Sequence, residues 1–263
     1  MCTVNSDIIA MEEYKCTWTL NFFSTTAGLI IPYMILYYHV IPELSLYLFP
    51  LLKSKSKSRQ YQFVSDFISC MPSTVVGAIT VYTYILANEK DRLFFFQLIS
   101  EIMLGYIIVD TVYRYQYIEH KRKLMIFHHV IGALITILAM YDNQYLLIKL
   151  TFGLMEISNP FINIRFMLIA LDVKKSVRLD SFYFQVSIMM MLTFFIFRVL
   201  PIPFMLYKAY LILLDILASE YHFKYFFYIC TLATYPVIGI MQLLWFKEMV
   251  VGLYSSFTGS KVL

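Results

Sequence analysis

The sequence predicts an all-α fold, a polytopic membrane bundle of about seven transmembrane helices. Three observations carry this reading. Of 263 residues, 60% are hydrophobic and only 14% charged, against about 45–50% and 25% in soluble domains. The apolar residues gather into long runs, most near the roughly 20 residues that a bilayer requires. Short basic clusters fall between alternate runs, the pattern expected when positive loops stay on one side of a membrane.

The runs cover residues 17–40, 63–87, 93–118, 124–140, 145–171, 182–207 and 225–251. The fourth is the shortest and spans only if Phe127, His128 and His129 count as embedded. The count falls to six if one of the weaker runs only dips into the bilayer. Residues 210–217 are too few to cross and are expected at the interface. Each span must be helical, because lipid cannot satisfy an open sheet edge.

Orientation follows from the loops. Lys53, Lys55, Lys57 and Arg59 follow the first run, Lys121, Arg122 and Lys123 the third, and Lys174, Lys175 and Arg178 the fifth. The intervening loops, 88–92 and 141–144, are near neutral or lack basic residues. The basic loops are then cytosolic, the N-terminus lumenal or extracellular and the C-terminus cytosolic. The first 15 residues carry Asp7, Glu12 and Glu13 and no basic stretch, so the first run is expected to remain as a span rather than to be removed. No linker divides the chain into soluble domains. Residues 1–55 are expected to hold the N-terminus and first helix, and residues 56–263 the rest of the bundle.

The formal charge of +4 is split among short clusters, which excludes a nucleic-acid surface. Cys2, Cys16, Cys70 and Cys230 form no C-x-x-C pair, and no histidine spacing suits a metal. No metal and no cofactor is expected.

Ionisable groups inside lipid are costly and usually face a bundle interior or a wet cavity. Candidates are Asp110, His128, His129, Glu156, Arg165 and Arg198, with Asn159 and Asn163 as neutral partners. At about 1.5 Å per residue, Asp110 lies roughly 12 Å from the cytosolic end of its helix, the histidines about 6–8 Å in, and Glu156 near mid-membrane. Five of these groups are expected to share a cytosol-facing pocket, with Arg198 deeper. Glu156, Asn159 and Asn163 are spaced i, i+3, i+7 and line one helix face, whereas Arg165 points elsewhere unless Pro160 bends the helix.

The pair His128-His129 followed by Glu156-Ile157-Ser158-Asn159-Pro160-Phe161-Ile162-Asn163-Ile164-Arg165 resembles the TLC domain family (TRAM, Lag1 and CLN8). Leu104-Gly105-Tyr106 with Asp110, Phe197-Arg198 before Pro201 and Pro203, and Trp245-Phe246 support it. The resemblance covers about residues 60–250, so that 56–263 is the expected TLC domain. The E-x-S-x-P-F-x-N-x-R block is most similar to the TLC domain-containing branch, closest to TLCD4-like proteins. The family includes ceramide synthases, whose pattern has a histidine pair and then D-x-x-D. Here Glu156 matches the first acid and Asn159 the second, so one acid is replaced. A histidine expected just before Ala78 is replaced by Gly77.

What the resemblance implies is a protein that binds lipid or acyl chains and acts in membrane lipid homeostasis, in the endoplasmic reticulum, with membrane lipids as partners. The alternative is a histidine-dependent acyltransferase with an acyl-CoA partner. There His128, His129 and Glu156 would be the reactive groups, and Asp110, Asn159, Asn163, Arg165 and Arg198 would line the lipid pocket. A transporter or seven-span receptor is the third class. It lacks an acid-Arg-Tyr triplet at the end of the third run and paired broken helices in two halves. Oligomeric state is left open.

Overall fold

The computed structural model describes residues 22, 24–118, 122–140, 146–172, 177–218 and 222–258. The start of the first run, the loop 141–144, and Lys121, Lys174 and Lys175 lie outside the described residues. Among the described residues the chain is helical, with no strand. The helices are α1 (Ser24–Leu48), α2 (Lys57–Ile85), α3 (Glu89–Tyr117), α4 (Arg122–Met140), α5 (Leu146–Met155), α6 (Asn159–Ala170), α7 (Val177–Phe194), α8 (Ile202–Ala218) and α9 (His222–Thr258).

Among the described residues five segments are long and apolar enough to cross a membrane: Ser24–Leu48, Lys57–Ile85, Asp91–Tyr117, Ser181–Leu211 and Ala233–Tyr254. The fourth expected run is present as α4, whose apolar stretch is the shorter Met125–Leu134. The fifth run is not one helix. A 3-10 turn, Glu156–Ser158, separates α5 from α6. Pro160 causes the break, because its ring collides with the carbonyl four residues back, that of Glu156, and offers it no N–H. The Asn159 N–H takes that carbonyl instead. Residues 210–217 are not a separate interfacial piece. They continue α8, which begins just beyond Pro201 and carries Pro203 in its first turn, where proline's fixed φ is tolerated.

Helix α2 is central and packs against α3, α5 and α6. Its inner face repeats small residues at Ser65, Ser69, Ser73 and Gly77, and the three serines are buried. Small side chains allow the close helix approach that lipid itself does not drive. A Cβ on Gly77 would meet Ile157 Cγ1 at 3.0 Å, so glycine is what lets α2 touch the 3-10 turn. Ser69 and Thr80 return their hydroxyl protons to the carbonyls four residues back, at 2.7 Å each. The outer faces carry exposed Ile31, Met34, Val75, Leu192 and Leu244, as a lipid-facing surface should.

Two π turns interrupt the spans, Leu36–Val40 in α1 and Phe195–Val199 after α7. Between α1 and α2 the chain makes a 3-10 turn, Pro50–Ser54. Leu52 plugs this end of the bundle against Phe63 and Ala170. Gln60 donates to the Leu52 and Lys55 carbonyls at 3.1 and 3.0 Å. Asp172, in the left-handed region at φ 56°, follows α6 and pairs with Lys55 at 2.8 Å and Arg59 at 2.7 Å.

Candidate functional site

The first buried polar network is built on Asp110 of α3, which is fully enclosed. Tyr37 and Ser65 each donate a hydroxyl proton to its Oδ1 at 2.6 Å. Arg114, one turn later on the same helix, donates from Nε to Oδ2 at 2.6 Å. Tyr106 and His129 Nε2 lie 3.5 Å from Oδ2. An anion taken out of water needs this many donors, because its desolvation otherwise outweighs one ion pair. Arg114 also reaches Asp66 of α2 at 3.5 Å, and Gln62 donates to both Asp66 oxygens at 2.8 and 2.9 Å.

His129 is held on both nitrogens. Nε2 faces Asp110, and Nδ1 lies 2.9 Å from Thr111 Oγ1. The Thr111 hydroxyl also donates to the Ile107 carbonyl at 2.6 Å, and which partner donates across the Thr111–His129 contact follows the imidazole tautomer. His128, one residue earlier, points away. Its ring lies 5.2 Å from that of Trp245 on α9, nearly edge-on, and 5.8 Å from that of His129. The 100° turn between successive helical residues accounts for this divergence. Among the described residues, no hydrogen bond engages His128's ring nitrogens.

The second network joins the 3-10 turn to α2, α9 and the π turn. Arg198 donates from Nε to Ser158 Oγ at 2.6 Å and to the Met155 carbonyl at 3.2 Å. Its Nη1 reaches Gln242 Oε1 at 3.3 Å, and its Nη2 makes a short bond to Asn159 Oδ1. Asn159 then donates from Nδ2 to Glu156 Oε2 at 2.5 Å. Ser73 donates to the same oxygen at 3.1 Å. The guanidinium can only donate and the carboxylate can only accept. The amide between them does both, so it relays the attraction of the two charges.

This explains the residue at 159. An aspartate there would accept from Arg198 but could not donate to Glu156 without a proton of its own. Gly77 has a similar explanation. Its lack of a side chain brings α2 against Ile157 and so brings Ser73 to Glu156.

The structure thus places Asp110 with His129, and Glu156 and Asn159 with Arg198. Arg198, expected deeper than the rest, reaches Glu156's partners because the π turn and the 3-10 turn meet. Asn163 is buried beside the Cys70 thiol. Arg165 lies apart, with Nε 3.3 Å from Ser187 Oγ and its guanidinium 5.5 Å from the centre of the Tyr183 ring. Asp66, Arg114, Tyr37, Ser73 and Gln242 belong to the networks, and the sequence reading omits them. A signal for two of them is present: Asp66 is a carboxylate inside an apolar run, and Asp110 and Arg114 are spaced i, i+4.

Beside Arg198 lies a narrow apolar crevice, too tight to admit a water molecule, lined by Met155, Ile202, Met205, Tyr235, Ile238 and Gln242. Met155 and Gln242 are also Arg198's partners, so the crevice abuts the charged network. Among the described residues, no group of three or more His, Cys, Asp or Glu side chains suits a metal ion.

Comparison with curated proteins returns no match. The family model described as the TLC domain (TRAM, LAG1, CLN8) matches residues 62–251. This match spans the second network, the 3-10 turn, the crevice and all of the first network but Tyr37, and the chain belongs to the TLC domain family.

Proposed function

We propose that this TLC domain protein binds lipid or acyl chains between its helices and acts in membrane lipid homeostasis. The observation that carries the reading is the crevice beside Arg198. An amphiphile needs an apolar slot with a polar group at its mouth, and Met155, Ile202, Met205 and Tyr235 abut the Arg198–Gln242 pair. The slot is closed to water as it stands, whereas small-molecule sites are roughly 300–1,000 Å3, so a chain enters only by parting α8 from α9. The proposed topology is seven crossings in the endoplasmic reticulum membrane, N-terminus lumenal and C-terminus cytosolic, with Lys53–Arg59 in the cytosol. The alternating loop charges support the orientation.

The test is lipid extraction and mass spectrometry of purified protein beside a Gly239→Leu variant. A Cβ at Gly239 makes an ordinary contact with Ile202 Cγ2 at 3.5 Å, so a larger side chain there projects into the seam and blocks it. Co-purifying lipid on the wild type, reduced at least severalfold in the variant, is the expected result. Equal lipid on both removes the crevice as the site.

One observation favours acyl transfer as the second reading. His129 is fixed by Asp110 and Thr111, whereas the His128 nitrogens have no hydrogen-bond partner among the described residues. An unengaged imidazole nitrogen can attack the carbonyl of an acyl-CoA thioester. The carbon–sulfur bond breaks, the coenzyme leaves as its thiol, and the acylimidazole passes the acyl group to a lipid amine or hydroxyl. Incubation with a long-chain acyl-CoA should then add an acyl-sized mass that His128→Ala abolishes. No adduct on the wild type excludes the covalent route.

A further inference from the structure

The turn joining α1 to α2 holds a motif that neither network uses: Lys53-Ser54-Lys55-Ser56-Lys57-Ser58-Arg59. Four cations lie within seven residues, and among the described residues one anion, Asp172, answers them. Asp172 engages Lys55 and Arg59. Lys53 and Lys57 are exposed and have no ion-pair partner among the described residues.

The turn is ordered by its own bonds. Leu52 is fully buried beneath it, Ser54 donates to the Leu51 carbonyl at 2.8 Å, and Gln60 clamps the Leu52 and Lys55 carbonyls. Its depth is fixed by its neighbours. Leu48 and Leu51, just before the cations in the chain, are exposed. Tyr61, one turn into α2, pairs with Tyr117, the last residue of α3, with ring centroids 4.5 Å apart, and tyrosines favour the water–lipid boundary. The cations therefore stand in the plane of the lipid headgroups.

We propose that this turn is a binding site for an anionic phospholipid whose headgroup ends in a phosphomonoester. Lys53 and Lys57 make the first contacts. Asp172 is the built-in competitor, since it holds Lys55 and Arg59 away from a phosphate. A doubly charged phosphate suits the surplus of three positive charges better than a phosphodiester. Serine hydroxyls between the cations add donors of the kind that phosphate oxygens accept.

The experiment is native mass spectrometry of the full chain in detergent with dioleoyl phosphatidic acid, phosphatidylserine and phosphatidylcholine in turn. Phosphatidic acid should bind best and phosphatidylcholine least. One lysine near an anionic headgroup is worth about fivefold in affinity, so Lys53→Gln with Lys57→Gln should weaken phosphatidic acid roughly 25-fold. Asp172→Asn should strengthen it severalfold. The lysine variants touch no described partner and leave the fold intact, so they decide the matter even if Asp172→Asn destabilises the turn. Equal binding of phosphatidic acid by the wild type and the lysine double variant overturns the proposal. So does displacement of the lipid by an equal concentration of free glycerol 3-phosphate, which would make the turn a site for soluble phosphate. Loss of crevice-bound lipid in Gly239→Leu with phosphatidic acid binding retained separates this site from the proposed acyl-chain site.

Discussion

Replacing Asn159 by Asp changes one NH2 group to an oxygen and almost nothing in shape. The wild-type amide accepts from Arg198 and donates to Glu156 Oε2 at 2.5 Å. In the variant that second contact would set two carboxylate oxygens against each other. The network then carries two carboxylates and one guanidinium in a buried site. Losing a hydrogen bond to a charged group costs about 1.5–3 kcal/mol, and an uncompensated buried charge about 3–5 kcal/mol. Ser73, which already donates to Glu156 at 3.1 Å, recovers part of this, and relaxation recovers more. A net loss of about 2–4 kcal/mol is expected at pH 8, or on the order of 5–15 °C in melting temperature. A proton shared between the two acids would restore the missing bond. The deficit should therefore shrink as the pH falls to 5. In Asn159→Leu only Glu156 is left to take a proton and no bond between two acids can form, so its deficit should shrink less over the same range. The assay is thermal unfolding of detergent-purified protein by intrinsic fluorescence at both pH values. An Asn159→Asp variant as stable as wild type at pH 8, or one whose deficit ignores pH, would refute the relay.

Three further outcomes are expected. Gly77→Val should destabilise by about 1–3 kcal/mol through overpacking, because even a Cβ there meets Ile157 at 3.0 Å; the same melts measure it. His129→Ala should cost about 1–3 kcal/mol by removing the partner of Thr111 and one of Asp110, whereas His128→Ala loses only a ring contact with Trp245 and should cost under about 1 kcal/mol; equal melting temperatures for the two variants would contradict the division. Hydrogen bonds from Lys55 and Arg59 hold the Asp172 carboxyl down to about 2. With an unfolded value near 3.9, its stabilisation is intact above about pH 4 and disappears as the pH falls toward 2. The melting gap between wild type and Asp172→Asn should close over that window.

Much of the fold was legible because lipid imposes a simple rule. Apolar runs near 20 residues must be helices, and α2, α3 and most of the first run follow from it. The rule is blind where helical geometry changes within a run. Pro160 signalled a bend, but periodicity could not show a 3-10 turn that brings Glu156 and Ser158 to Arg198. The π turn at Phe195–Val199 left no mark in composition. Depth estimates assume straight helices of constant rise, which is why Arg198 was expected deeper than the other groups. Asp66 and Arg114 lie near the ends of runs and read as boundary charges until the fold closes Asp110 over them. The His128–His129 divergence, by contrast, needed only the 100° step between neighbours.

The two π turns have a common role. A π turn adds a residue to one turn of helix and so resets which side chains face inward beyond it. In α1 the turn contains Tyr37, fully buried, between exposed Ile35 and Val40. Tyr37 donates to Asp110, while the rest of that helix keeps its apolar side toward lipid. After α7 the turn contains Arg198, buried among exposed Phe195, Ile196 and Leu200, and Arg198 donates to Asn159. Each network thus receives a donor from a helix whose outer face is apolar and exposed. A regular helix would have to turn a wider polar stripe inward to deliver the same group, and the same rotation would disturb the lipid face on either side. Confining the change to one turn leaves the exterior apolar and brings one donor to each buried network. On this argument, deleting Ile196 to regularise the helix should be worse for the second network than truncating Arg198. The deletion turns the following residues as well as withdrawing the guanidinium, so its melting temperature should fall below that of Arg198→Leu.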